Sequence, residues 1–113
     1  MARTITCWPL TRLGPDDLVL CSGTIRAAPF AHTVSAASTA GFQGVSLYYD
    51  EYAIARAEGW TDADMRALLD VNGVAVAEID GRMDWLPDDS GAPSVADFLT
   101  AATALGARSI TVL

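Results

Sequence analysis

Leu68-Leu69-Asp70-Val71-Asn72-Gly73-Val74-Ala75-Val76-Ala77-Glu78-Ile79 is the stretch that decides the fold. Met65, Leu68 and Leu69 lie at i, i+3 and i+4, the spacing of one helical face. That pattern stops at Gly73, a residue suited to the left-handed conformation that ends a helix. The chain then turns at once to a β-prone apolar run, Val74 to Ile79. A helix handed to a buried strand through one glycine is half of a βαβ unit.

The same unit recurs on both sides. Downstream, Ser94 to Leu105 reads as a helix closing at Gly106, followed by the strand Ser109 to Leu113. Phe98, Ala101, Ala102 and Leu105 form its apolar stripe. Upstream, Pro29 to Ala40 closes at Gly41, and Val45 to Tyr49 is β-prone. Thr61 opens the helix that ends at Gly73, and Leu18 to Ser22 is the first strand. Thr61 and Ser94 suit N-caps, because a hydroxyl accepts from the free N–H groups of a first turn. Asp64 and Asp97 follow three residues later, near capping-box spacing. The closing glycines stand 32 and 33 residues apart. The expected order is β-α-β-α-β-α-β, four strands and three helices in a parallel sheet. Two architectures share this repeat: half of a (βα)8 barrel, and a small open doubly wound sheet. Residues 17–113 carry the repeat, and residues 1–16 form an N-terminal extension with Trp8-Pro9-Leu10.

Composition narrows the function. Of the 113 residues, 51% are hydrophobic, too many for a disordered chain. Seven Arg and no Lys against fourteen acids leave a net charge of −7, which argues against nucleic-acid and anionic-membrane partners. No apolar run nears the ~18 residues of a membrane span. Met1 to Leu13 lacks the apolar core of a signal peptide, and a cytoplasmic setting is expected. Cys7 and Cys21 show neither metal spacing nor a neighbouring activating base and read as inert. Abundant Ala with Arg in place of Lys resembles a GC-rich bacterial coding bias.

In both architectures ligands bind at the carboxyl ends of the strands. Those ends carry Ser22-Gly23-Thr24 with Arg26, then Tyr48-Tyr49-Asp50-Glu51-Tyr52, then Glu78-Ile79-Asp80 with Arg82, Asp84 and Trp85. Rings beside carboxylates suit a sugar or polyol: rings cover C–H faces, and carboxylates accept from hydroxyls. Each residue also has a structural reading. One of the two tyrosines can pack under a helix. Asp50 and Glu51 read as solvated loop charges. Glu78 interrupts an apolar strand, where an unpaired carboxylate is costly, so it either faces a pocket or pairs with Arg26 or Arg82. Asp80 and Asp84 lack a specific metal spacing. Trp85 reads as pocket wall or loop anchor. His32, the one histidine, reads as a surface residue of the first helix. Dinucleotide, phosphate-loop and nucleophile-elbow motifs are missing.

Four motifs in order resemble a known family. They are Leu20-Cys21-Ser22-Gly23-Thr24, then Ala40-Gly41-Phe42-Gln43-Gly44-Val45, then Gly73-Val74-Ala75-Val76-Ala77-Glu78, then Leu105-Gly106-Ala107-Arg108. Over residues 18–113 the chain resembles the N-terminal half of the sugar phosphate isomerase/epimerase family, the xylose isomerase-like TIM barrels. The resemblance implies isomerisation or epimerisation of a sugar or polyol, with dehydratases and endonucleases among related members. It also implies a divalent metal ion in a full-length relative, held by two Glu, an Asp and a His on later strands. None of those positions falls on this chain, so no catalytic residue, metal ligand or cofactor is assigned to it. What carries over is a substrate-binding wall of Thr24, Tyr48, Glu78 and Trp85.

A whole barrel needs about 250 residues. At 113 the chain has about half, and its last strand is an apolar edge, a template for pairing. Three outcomes are open: an inactive truncated product, a homo-oligomer joined through its sheet edges, or a relaxed open sheet. The alternative to a partial isomerase or epimerase is a non-catalytic α/β binding or self-assembly module.

Overall fold

The computed structural model describes residues 13–82 and 91–112. The first strand, β1 (Val19–Cys21), runs into a 3-10 turn (Ser22–Ile25) and helix α1 (Phe30–Ala40). Strand β2 (Gly44–Tyr48) leads directly into α2 (Tyr49–Ala57), and α3 (Asp62–Asn72) follows. Strand β3 (Ala75–Arg82), α4 (Val95–Leu105) and β4 (Ser109–Val112) complete the chain. The strands are parallel and ordered β1-β2-β3-β4. This order lacks the reversal that defines a doubly wound sheet. All four helices join one core with a single sheet face. The protein is therefore an α/β half-barrel.

Among the described residues there are four α-helices where the repeat predicts three. The extra one is α2, which occupies the stretch expected as a strand end and loop. The three predicted helices form with the expected ends. Gly41, Gly73 and Gly106 all take positive φ, at 89°, 65° and 68°. Thr61 accepts from Asp64 N–H at 3.0 Å, and the Asp64 carboxylate accepts from Thr61 N–H at 3.0 Å. Ser94 and Asp97 repeat the arrangement at 3.1 and 2.9 Å. Thr61→Ala is expected to cost about 1 kcal/mol in urea unfolding, a typical value for a lost hydroxyl cap. The Thr61 N–H holds the Asp64 carboxyl below its ordinary value, and the Thr61 side chain adds to this. The unfolded chain therefore takes up that proton first on acidification. The carboxylate's contribution is full above the ordinary carboxylate range and lost as pH falls through the lowered value.

The core joins helices and sheet. Val34 and Ala37 of α1, Met65 and Leu69 of α3, and Ala101 and Leu105 of α4 have no exposed surface. They pack against Val45 and Leu47 of β2 and Val76 and Ile79 of β3. Strand β3 carries one extra residue: Val45 pairs with Val76, but Ser46 pairs with Glu78. Ala77 is the bulge. Side chains alternate along a strand, so without the bulge Glu78 would share the helix-covered face with Val76. With it, Ile79 takes the core position and Glu78 turns to the opposite, inner face beside Ser46. At the strand starts, the Leu13 side chain lies over Gly44, within 3.0 Å of where a Cβ would stand. No helix among the described residues is long and apolar enough to cross a membrane.

Candidate functional site

Tyr48 is the last residue of β2 and lies at the centre of the strand ends. Its ring and hydroxyl are flanked by two glycines. A Cβ on Gly23 would come within 3.1 Å of the Tyr48 hydroxyl, and one on Gly81 within 3.3 Å of its ring. Gly81 also has φ of +99°, a conformation that side chains rarely adopt. On the open side, the Arg26 guanidinium sits 4.2 Å from the Tyr48 ring centroid, a cation–π contact. Arg26 Nη2 also donates to Asp50 Oδ2 at 2.6 Å. This bond raises the guanidinium pKa further, so Arg26 stays charged.

Behind Tyr48 lies a buried polar lock. The Glu51 carboxylate accepts from the Tyr48 backbone N–H at 2.9 Å and from the Ser22 hydroxyl. Ser22 is fully buried and Glu51 is 6% exposed. Glu51 thus ties the end of β1 to the junction of β2 and α2. The reading of Asp50 and Glu51 as solvated loop charges is corrected for Glu51, whereas Asp50 is exposed as expected but stands in the first turn of α2 rather than in a loop. Glu51 is buried, and Asp50, though half exposed, is paired with Arg26.

Arg26, Tyr48, Tyr49, Asp50, Asp80, Gly81, Pro93 and Phe98 line a cleft of about 350 Å³. That is within the usual range for a small-molecule site. Tyr49 stacks on Phe98 with centroids 5.1 Å apart, which makes one aromatic wall. Burial, and then the nearby charge of Asp97, raise the Tyr49 phenol pKa. Tyr49 is therefore a neutral hydroxyl. Asp80 Oδ1 accepts from Gly81 N–H at 2.6 Å, which fixes the carboxylate at the rim. A larger hollow of about 560 Å³ beside Trp60, Leu68 and Val71 lies against α3, away from the strand ends. Of its two lining carboxylates, Glu58 and Asp64, the second is committed to the Thr61 cap.

The four wall residues read from the sequence fall in different places. Tyr48 lines the cleft. Thr24 is exposed on the 3-10 turn and is not among the lining residues. Glu78 sits on the inner sheet face, where Oε1 accepts from Ser46 Oγ at 3.0 Å and Oε2 from the Thr111 hydroxyl. The alternative pairing of Glu78 with Arg26 is not made, because Arg26 is taken by Asp50, and the Arg82 side chain lies outside the described residues. Trp85 and Asp84 lie outside the described residues, as does Cys7. Arg26, Asp50, Asp80 and Phe98 complete the cleft. The first three belong to the strand ends in the sequence, whereas Phe98 has only the pattern of a core position. His32 is exposed on α1, and Cys21 is an exposed free thiol.

The lining combines ring faces for C–H groups, two carboxylates that accept from hydroxyls, and one guanidinium that donates. Among the described residues no three His, Cys, Asp or Glu side chains come together to hold a metal ion. The donor set present does not fit the divalent ion implied by the resemblance, and no chemical step is derived through one.

No family model and no curated protein matches the chain. Its fold is shared with the crystal structure of the probable 3-DHS dehydratase AsbF, involved in petrobactin synthesis, from Bacillus anthracis. The two superpose with a TM-score of 0.61 at 17% identity, over 86% of this chain and 38% of that one. At that identity the likeness is one of fold, and this chain spans 38% of the length of the dehydratase.

Proposed function

We propose that the chain supplies the first four strands of a (βα)8-type sugar or polyol isomerase or epimerase. Its strand-end cleft binds the polyhydroxylated substrate and leaves the reacting groups to the rest of the barrel. The observation that carries this reading is the cleft itself. Tyr48 is clamped from behind by Glu51, and Arg26, Asp50 and Asp80 surround an aromatic floor. The motif resemblance and the shared fold with a dehydratase point the same way. Both carboxylates of the cleft are held by neighbouring donors, Asp50 by Arg26 and Asp80 by the Gly81 N–H, an arrangement suited to holding hydroxyls. A non-catalytic polyol-binding module is therefore the second reading.

Both readings require the cleft to bind a polyol. Titration of the 113-residue chain with xylitol, glucose and sorbitol, followed by amide chemical shifts, tests this. Shifts are expected to cluster at Tyr48, Asp80 and Gly81. Tyr48→Ala is expected to weaken binding about tenfold, about 1.4 kcal/mol. Shifts scattered over the surface, or none at millimolar polyol, would overturn the proposal. Isomerisation of an aldose by the isolated chain would favour a self-sufficient enzyme over either reading.

A further inference from the structure

The strand-end cleft has a charge bias that a neutral polyol leaves unused. Its described lining sets one guanidinium, Arg26, against two carboxylates, Asp50 and Asp80. Arg26 is already engaged: it donates to Asp50 at 2.6 Å and lies 4.2 Å from the Tyr48 ring centroid. Asp80 is left as the charge without a counter-ion among the described residues. Its Oδ1 accepts from Gly81 N–H at 2.6 Å, and among the described residues nothing donates to its Oδ2. We infer that the cleft selects an aminopolyol, a sugar or polyol with a protonated amine in place of one hydroxyl, and that Asp80 holds the ammonium. The inference rests on the polyol reading above and goes beyond it by naming the substituent that sets specificity.

An ammonium brings only donors, which suits a lining whose free polar atom is a carboxylate oxygen. A hydrogen bond between two charged partners is also stronger than the neutral bond a hydroxyl would make there. The aromatic wall adds to the preference, because the faces of Tyr49 and Phe98 attract a cation through their ring quadrupoles. The charge of Asp97 reaches the same wall: after burial, it is the second cause that raises the Tyr49 phenol pKa. The Arg26 pKa is raised first by the Asp50 bond and further by the charge of the buried Glu51, so the cleft's one described cation is outweighed. An anionic substituent meets the opposite conditions. To receive a phosphate, Arg26 would have to leave Asp50 and bring the anion beside an unpaired carboxylate. The net charge of −7 attracts cations and repels anions at longer range in the same sense.

Matched ligands test this on the 113-residue chain at mildly acidic pH, where the amines are protonated. Sorbitol and 1-amino-1-deoxysorbitol differ by one hydroxyl against one ammonium, and so do glucose and glucosamine. Titrations followed by amide chemical shifts give a Kd for each. The amine of each pair is expected to bind about tenfold more tightly, with the largest difference in shift at Asp80 and Gly81. Glucose 6-phosphate is expected to bind at least about threefold more weakly than glucose. Asp80→Asn keeps the side-chain shape and an oxygen for the Gly81 N–H, and is expected to bring the ratio within each pair below about two. The comparisons on the wild-type chain decide the inference even where that variant fails to fold. Equal binding within both pairs, or tighter binding of the phosphate, would overturn the inference and leave the polyol reading standing. A tenfold preference that survives Asp80→Asn would overturn it too. No binding of any of the five ligands would overturn both.

Discussion

Replacing Glu51 by alanine is expected to lower the unfolding free energy by about 3 kcal/mol. The size follows from what the carboxylate leaves behind. It accepts from the Ser22 hydroxyl and from the Tyr48 backbone N–H. Ser22 has no exposed surface, so water cannot take the place of the lost acceptor without opening the turn. A hydrogen bond to a charged group is worth about 1.5–3 kcal/mol, and two are lost. Glu51→Gln keeps one carbonyl oxygen in place and is expected to cost about half as much. Urea unfolding of the three proteins measures both differences. A loss below about 1 kcal/mol for the alanine variant would show that the turn relaxes to let water in. The same variant is expected to weaken polyol binding, because Glu51 fixes the backbone from which Tyr48 projects. A variant that loses stability but binds a polyol as before would separate the lock from the site.

The elements that could be read from the sequence are those with local causes. A hydroxyl cap, an aspartate three residues on, an i, i+3, i+4 stripe and a closing glycine all fall within one helix. That is why α3 and α4 stand where Thr61, Ser94, Gly73 and Gly106 place them. Helix α2 has a closing glycine, Gly59 at φ of 103°, and an acid at its third position, Glu51, but no hydroxyl cap. It spans nine residues, starts after Tyr48, and opens on Tyr-Asp-Glu-Tyr, which resembles a strand end running into a loop. Its position is set by Glu51, whose hydroxyl partner Ser22 lies 29 residues away. The two partners of Glu78 lie 32 and 33 residues away. Nothing near Glu78 in the sequence marks Ala77 as a bulge, yet the bulge decides which face Glu78 takes. The cleft shows the same division. Tyr48 is legible from its place at a strand end, whereas Phe98 reaches the cleft from α4 and carries no mark in the sequence beyond that of a core position.

The bulge can be tested by a large substitution effect within the sheet. Ile79→Ala is expected to cost about 4 kcal/mol, since a buried Ile or Leu cut back to Ala loses both transfer energy and packing, in the range of about 2–5 kcal/mol. Ile79 has no exposed surface and sits in the core between sheet and helices. Glu78→Ala, one residue earlier, is expected to cost only about 1–2 kcal/mol. Glu78 is half-buried on the inner face, and its loss frees two hydroxyls that can rotate toward other acceptors. Urea unfolding of the two variants gives the ratio. In a β3 without the extra residue the two side chains would trade faces. Glu78 would then be a carboxylate in the apolar core, and its replacement by alanine would be neutral or stabilising, whereas an Ile79 facing outward would be cheap to lose. A large cost at Ile79 with a small one at Glu78 therefore reports the register of β3 itself. Near-equal costs, or the reverse order, would remove the bulge and with it the inner-face row from Ser46 to Thr111.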